Sequence, residues 1–264
     1  MQTSLQKVNR VSQAFSNVTH KALTVYFTAG FPKLNDTLSV LEMLQEAGAD
    51  IIEIGMPFSD PIADGPTIQE SNQVALDNGM ELQILFEQLR NMRDKITVPV
   101  FLMGYINPVL QYGFEAFAAK CEEVGIDGLI LPDMPLYEFE ETYSTIYEKH
   151  GLKSVFLITP ETSDERIRKI DSLCSGFVYM VSSSSTTGKT AGFSEQQIQY
   201  FERIGTMGLK NPIQTGFGIN DAETFEVASR HVSGAIVGSA FIRLLQQHGP
   251  DFSQIKTFIS GIKA

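Results

Sequence analysis

A chain of 264 residues with 43% hydrophobic and 19% charged residues can bury a full core and does not have the composition of a disordered segment. Its formal net charge of -11 and pI near 4.8 argue against nucleic acid or an anionic membrane as the main partner. No run approaches the roughly 18 apolar residues of a membrane span, and the two cysteines, Cys121 and Cys174, have neither metal-ligand nor disulfide spacing and read as reduced thiols of a cytoplasmic protein.

In chain order, residues 1–35 lack acids and carry Lys7, Arg10 and Lys21, a composition shared with transit peptides. Leu5, Val8, Val11, Phe15 and Val18 nevertheless fall at helical spacing, and a strand begins near Leu23, so the expectation is a mature N-terminal helix. Eight short apolar, β-branched runs follow: Leu23–Thr28, Ile51–Ile54, Val98–Met103, Gly128–Leu131, Ser154–Ile158, Phe177–Val181, Pro212–Thr215 and Ala235–Val237. Amphipathic stretches alternate with them, among them Thr37–Ala47, Phe114–Val124, Tyr137–Tyr147, Asp164–Leu173, Gln196–Met207 and Asp221–Ser229. This alternation predicts an α/β fold, a (β/α)8 TIM barrel forming a single domain over residues 1–264 with an extra N-terminal helix. A doubly wound open sheet is the competing fold, but Thr28-Ala29-Gly30-Phe31-Pro32 is not a dinucleotide-binding turn.

Barrel chemistry sits at the C-terminal ends of the strands, and two connections there are long, after strands two and six. The second contains the polar tract Ser182-Ser183-Ser184-Ser185-Thr186-Thr187-Gly188-Lys189-Thr190. His20, His150, His231 and His248 all fall before strands or at helix ends, on the opposite face, so neither a histidine base nor a histidine-rich metal site is expected. No strand ends on a lysine, which disfavours a Schiff base. Gly188-Lys189-Thr190 would need a glycine at Ser183 to complete a P-loop, and no Gly-x-Ser-x-Gly elbow occurs.

Carboxylates and glycines remain. Glu53 alternates with Ile52 and Ile54 and points away from them; in an apolar pocket its pKa would rise toward neutrality, making it a proton carrier, unless a salt bridge makes it structural. Asp60-Pro61 and Asp64-Gly65-Pro66 are, on spacing alone, turn dipeptides. Thr215-Gly216-Phe217-Gly218-Ile219-Asn220 and Gly238-Ser239-Ala240 close strands seven and eight, where backbone N–H groups and a helix N-terminus commonly hold phosphate, although tight turns alone also use glycine. These residues point to acid–base chemistry on a small phosphate ester.

The same residues closely resemble the tryptophan synthase alpha-subunit family over essentially the whole chain. The resemblance is carried by Tyr26-Phe27-Thr28-Ala29-Gly30-Phe31-Pro32, by Asp50 to Pro66 with its Glu-x-Gly-x-Pro-Phe-Ser-Asp-Pro-x-Ala-Asp-Gly-Pro pattern, and by Met103-Gly104-Tyr105-Ile106-Asn107-Pro108. Asp127-Gly128-Leu129-Ile130-Leu131-Pro132-Asp133, Gly216-Phe217-Gly218-Ile219 and Gly238-Ser239-Ala240 complete it. It implies retro-aldol cleavage of indole-3-glycerol phosphate to indole and glyceraldehyde 3-phosphate, with indole passed to a beta subunit in an alpha2beta2 heterotetramer. It also implies that Glu53 moves protons at indole C3 and the glycerol hydroxyl, while Asp64 faces the indole N–H. Tyr26, Ile68, Met103, Ile130 and Tyr179 would line the indole pocket, and Gly188, Phe217, Gly218, Gly238 and Ser239 would hold phosphate. Thr187 would contact Asp64 on loop closure, and Asp60 would face the beta subunit. No cofactor or metal is expected in this chain, pyridoxal phosphate belonging to the beta subunit.

One departure stands out: where the family reads Ser-x-x-Gly-Val-Thr-Gly after strand six, this chain has Ser185 and Thr186 in place of the glycine and valine. Two alternatives follow from the same residues, a free-standing indole-releasing lyase and a non-catalytic activator of the beta subunit. Retention of Glu53 and Asp64 argues against the second.

Overall fold

The computed structural model describes residues 9–16, 21–181, 193–216 and 218–264. Eight parallel strands close into a barrel in sequence order: β1 (Ala22–Thr28), β2 (Ile51–Gly55), β3 (Val100–Met103), β4 (Gly128–Ile130), β5 (Lys153–Ile158), β6 (Val178–Val181), β7 (Ile213–Gly216) and β8 (Gly234–Val237). Each falls within two residues of its predicted run. Parallel neighbours require crossovers, which the helices supply. Residues of one parity, such as Ile52, Ile54, Val100 and Leu102, pack outward under those helices. The other parity, including Ile51, Phe101, Ile130, Val155, Phe177 and Ile236, fills the barrel.

The N-terminal helix is described over Arg10–Ala14 and closes the bottom of the barrel. Val11 and Phe15 join the interior cluster, and the Phe15 and Phe177 rings lie 6.1 Å apart. Arg10 pairs with Asp127 at 2.9 Å; Asp127 also pairs with Arg93 and accepts from the Val100 N–H. This ion cluster ties the plug to the lower ends of β3 and β4.

The helices Thr37–Ala47, Phe114–Val124 and Asp164–Leu173 coincide with their predicted stretches. The stretch Tyr137–Tyr147 differs: it is a short helical turn (Leu136–Glu138), a π-helical segment (Phe139–Tyr143) and an α-helix (Ser144–His150) in succession. The long connection after β2 is not open loop; it holds the helices Pro66–Asp77 and Leu82–Leu89. Among the described residues no helix is long and apolar enough to cross a membrane.

Candidate active site

The C-terminal ends of the strands surround an open cavity of about 90 Å3. It is lined by Tyr26 from β1, Asp64 and Gly65 from the loop after β2, Ile68, Met103 from β3 and Tyr179 from β6. Gly218, Ile219 and Asn220 after β7, with Ile236, Gly238, Ser239 and Ala240 at the end of β8, complete the wall. A narrow side recess of about 10 Å3 continues past Tyr26, Asp64 and Met103 to Met56, Asn72, Gly104, Tyr105 and Pro132.

Glu53 lies inside the barrel because the two-residue period of β2 sets it with Ile51, opposite to Ile52 and Ile54. It pairs in register with Tyr26 and Phe101, is fully buried, and neither carboxyl oxygen has a hydrogen-bond partner. Removal from water disfavours the charged form and pushes its pKa from 4.5 up to about 8. The salt-bridged reading of this residue is therefore excluded.

Asp64 sits higher, on the loop. Desolvation raises it to about 6, opposed by the hydrogen bond that the Tyr105 hydroxyl donates to Oδ2 across 3.2 Å. Around it the loop is well tied: Asp64 N–H donates to the Pro61 carbonyl at 3.0 Å, the Gln69 amide donates to the Asp64 carbonyl at 2.8 Å, and Ala63 N–H donates to the Tyr105 hydroxyl at 2.9 Å. Burial thus favours the protonated form more strongly at Glu53 than at Asp64; Asp64 lines the cavity, whereas Glu53 lies in the barrel interior beside its register partner Tyr26 and does not itself line the wall.

Burial also pushes the phenols of Tyr26 and Tyr179 up, with Glu53 and Asp64 adding to the rise, so both stay neutral donors. The Tyr26 hydroxyl lies 3.4 Å from Thr28 Oγ1, which bonds Ser71 Oγ at 2.7 Å. Two glycines give the rings room: a Cβ on Gly55 would overlap the Tyr26 hydroxyl, and one on Gly216 would overlap the Tyr179 ring.

Gly238 caps the helix Ser239–His248, whose N-terminus opens on the cavity. Among the described residues no lysine or arginine lines the wall there, so an anion would be held by backbone N–H groups and the helix dipole. Arg243 stands behind the wall, donating to Asn220 Oδ1 at 3.2 Å.

Of the residues singled out from the sequence, Tyr26, Asp64, Ile68, Met103, Tyr179, Gly218, Gly238 and Ser239 share the cavity. Ile130, the register partner of Met103, is fully buried in the interior cluster and does not itself line the cavity, so packing shields it there. Thr187, Gly188 and Phe217, like Ser185, Thr186 and His20, lie outside the described residues. Asp60 is exposed on the loop, accepting from Ser59 Oγ at 2.5 Å, and is not part of the cavity wall. His150 Nδ1 lies 2.8 Å from a carboxylate oxygen of Glu122 at the end of its helix; it, His231 and His248 are absent from the cavity wall. Sequence reasoning missed Tyr105, Asn72 and Asn220, although Tyr105 directly follows Met103-Gly104 in a motif already noted. Among the described residues no group of three or more His, Cys, Asp or Glu could hold a metal ion.

Comparison with known proteins gives one consistent result. Residues 13–259 match the family model described as tryptophan synthase alpha chain. The chain is 54% identical to the tryptophan synthase alpha chain of Flavobacterium psychrophilum over 255 residues, covering 97% of this chain and all of the relative. It is 51% identical to that of Christiangramia forsetii over 257 residues, with 97% and 99% covered. Its fold superposes on a crystal structure of tryptophan synthase subunit alpha from Legionella pneumophila with a TM-score of 0.86 at 33% identity, covering 97% of both chains. It superposes on a chain of the tryptophan synthase complex from Pyrococcus furiosus with a TM-score of 0.82 at 34% identity, covering 91% of this chain and 97% of that one.

Proposed function

The chain belongs to the tryptophan synthase alpha chain family, an enzyme subunit of tryptophan synthesis, and on that premise we propose that it cleaves indole-3-glycerol phosphate to indole and glyceraldehyde 3-phosphate. The observation that carries this reading is a pair of carboxyl groups at the same end of the barrel, both raised by burial: Glu53 inside it with no hydrogen-bond partner, and Asp64 on the cavity wall bonded by Tyr105.

Carbon–carbon cleavage without a metal or Schiff base needs an electron sink in the substrate. Protonation of the indole ring at C3 supplies one. Glu53 gives its proton to C3, and the ring nitrogen takes up the positive charge. Asp64, as carboxylate, faces the N–H and stabilises that charge in a site where water screens it poorly. Electrons of the bond between C3 and the glycerol chain then return to the ring, the glycerol hydroxyl becomes an aldehyde, and its proton passes back to Glu53. C3 has gained one proton and the hydroxyl has lost one, so Glu53 ends as it began.

Tyr26, Ile68, Met103 and Tyr179 supply the apolar walls for the ring. Gly218, Gly238 and Ser239 offer backbone donors to phosphate at the helix N-terminus, with Phe217 and Gly188 as further candidates and Thr187 as a contact for Asp64. This chemistry asks for no cofactor in this chain; pyridoxal phosphate would serve the beta subunit. Buried, free Cys121 and Cys174 suit a reducing cytoplasm.

The beta-subunit partner would dock over the barrel mouth, in an alpha2beta2 assembly. Loops there are knitted together, Phe58 stacking near Tyr105 and Ile106 N–H donating to Asp133. They present apolar side chains to solvent, Ile62 at 89% and Tyr137 at 72% exposure. Asp60 lies in the same loop as Ile62, at this interface.

Indole release from indole-3-glycerol phosphate by the purified chain, with and without beta subunit, tests the proposal. Glu53→Gln should lower turnover by about 10²–10⁴-fold, the worth of a general acid–base group, while phosphate-ester binding survives. Near-normal turnover of that variant would sink the assignment.

A further inference from the structure

Below Glu53 the barrel interior holds a polar pair that the reaction above does not use. Thr24 of β1 and Gln214 of β7 are both fully buried, and Thr24 Oγ1 donates to Gln214 Oε1 across 2.6 Å. Their strands are not neighbours. Between them β8 presents Gly234, paired in register with Gln214 on one side and Ala22 on the other. A Cβ at Gly234 would meet the Ala22 backbone, and the bond from Thr24 to Gln214 passes across this strand.

This bond engages the carbonyl of Gln214 and leaves its amide nitrogen Nε2, which carries two N–H donors, without a partner. Thr24 lies two residues below Tyr26, the register partner of Glu53, and Gln214 is the register partner of Tyr179. Both tyrosines feel the charge of Glu53. The orphan donor and the two orphan carboxyl oxygens thus face one sealed interior from adjacent layers. Elsewhere the same interior is filled by Phe101, Val155 and Phe177, which leave nothing unpaired. A purely structural role for positions 24 and 214 would be served better by such residues, because an orphan buried amide weakens the fold.

We infer that Gln214, held by Thr24, is a positioning residue for Glu53: its free Nε2–H donates a hydrogen bond to the Glu53 carboxylate after that group has given its proton to the substrate and before it takes one back. The inference rests on Glu53 being the proton carrier proposed above. No proton leaves the amide, and a rotamer step of Glu53 or one bridging water completes the bond. A donor aimed at the charged form makes ionisation easier. The other ionisable groups facing Glu53 are Tyr26 on β1, Tyr179 on β6 and Asp64 on its own loop, and β3 contributes only Phe101 and Met103.

Gln214→Leu and Gln214→Met keep the volume and remove the donor. Titrating the Glu53 carboxyl by carbon-13 NMR, with Glu53→Gln as the blank, reads the effect directly. Both variants should raise the midpoint by about one pH unit or more. They should lower kcat at neutral pH about tenfold and leave KM and unfolding stability unreduced. Thr24→Val, which keeps the amide and frees its anchor, should give a smaller rise. A Glu53 midpoint unchanged in both Gln214 variants overturns the inference, even with Glu53→Gln inactive. Normal turnover of Glu53→Gln instead defeats the underlying reading, whatever the midpoint does.

Discussion

Glu53→Gln is expected to stabilise the fold at alkaline pH while lowering turnover by about 10²–10⁴-fold. In an unfolded chain this carboxyl titrates near 4.5, whereas burial in the barrel holds it at about 8. Between those values the unfolded chain binds fewer protons than the native protein, so stability falls as pH rises through the window. At about 1.4 kcal/mol for each pH unit, the complete loss is roughly 5 kcal/mol, absent below about pH 4.5 and fully present above about pH 8. Glutamine has nearly the same shape and no such titration. Urea unfolding at pH 5, 7 and 9 should therefore show the wild type losing stability relative to the variant, by several kcal/mol at pH 9 and little at pH 5. Parallel stability curves, within about 1 kcal/mol of each other, would refute the reasoning, because they would mean that water or a cation reaches the carboxylate in the folded state.

Three further outcomes are expected. The pH profile of kcat/KM should be bell-shaped, falling below about 6 as Asp64 protonates and above about 8 as Glu53 ionises; Tyr105→Phe, which removes the bond that lowers Asp64, should move the acid limb up and leave the alkaline limb in place. Gly55→Ala should cost about 1–3 kcal/mol and raise KM by displacing Tyr26, and Tyr26→Phe should rescue part of both in a calorimetric and kinetic comparison, since the hydroxyl is the nearest overlapping atom. Asp127→Ala leaves Arg93 and Arg10 without their shared partner and should lower stability by about 3 kcal/mol in thermal melts, with kcat/KM at 25 °C unchanged because the cluster lies at the far end of the barrel.

The barrel was legible because each strand is a short β-branched run and each regular helix has an apolar stripe at helical spacing. Pro66–Asp77 escaped this reading since its buried face includes Ser71 and Asn72, which periodicity counts as polar. The π-helical segment at Phe139–Tyr143 is a local insertion that amphipathic spacing blurs. Within the site, the residues alone singled out Glu53 and the glycine turns, and the resemblance supplied the cavity walls. Tyr105 and Asn220 both stand in motifs legible in the chain, but their contacts, to Asp64 and to Arg243, are set by loop geometry that the motifs do not encode. Thr24 and Gln214 are 190 positions apart and meet only because the barrel closes, so no local pattern announces the pair.

Depth and one hydroxyl sort the two carboxylates. Glu53 and Asp64 are only eleven positions apart, but the strand carries one into the sealed interior and the loop lifts the other to the rim. Desolvation raises both, and more strongly where no hydroxyl or water opposes it. Tyr105 widens the gap by lowering Asp64, with no counterpart bonded to Glu53 among the described residues. On the proposed mechanism one carboxyl is thus kept as a proton donor and the other as a stabilising anion near neutral pH. The burial that raises Glu53 is also what weakens the fold as pH rises, so on the proposed mechanism the acid strength of this group and the alkaline instability of the barrel have one physical origin.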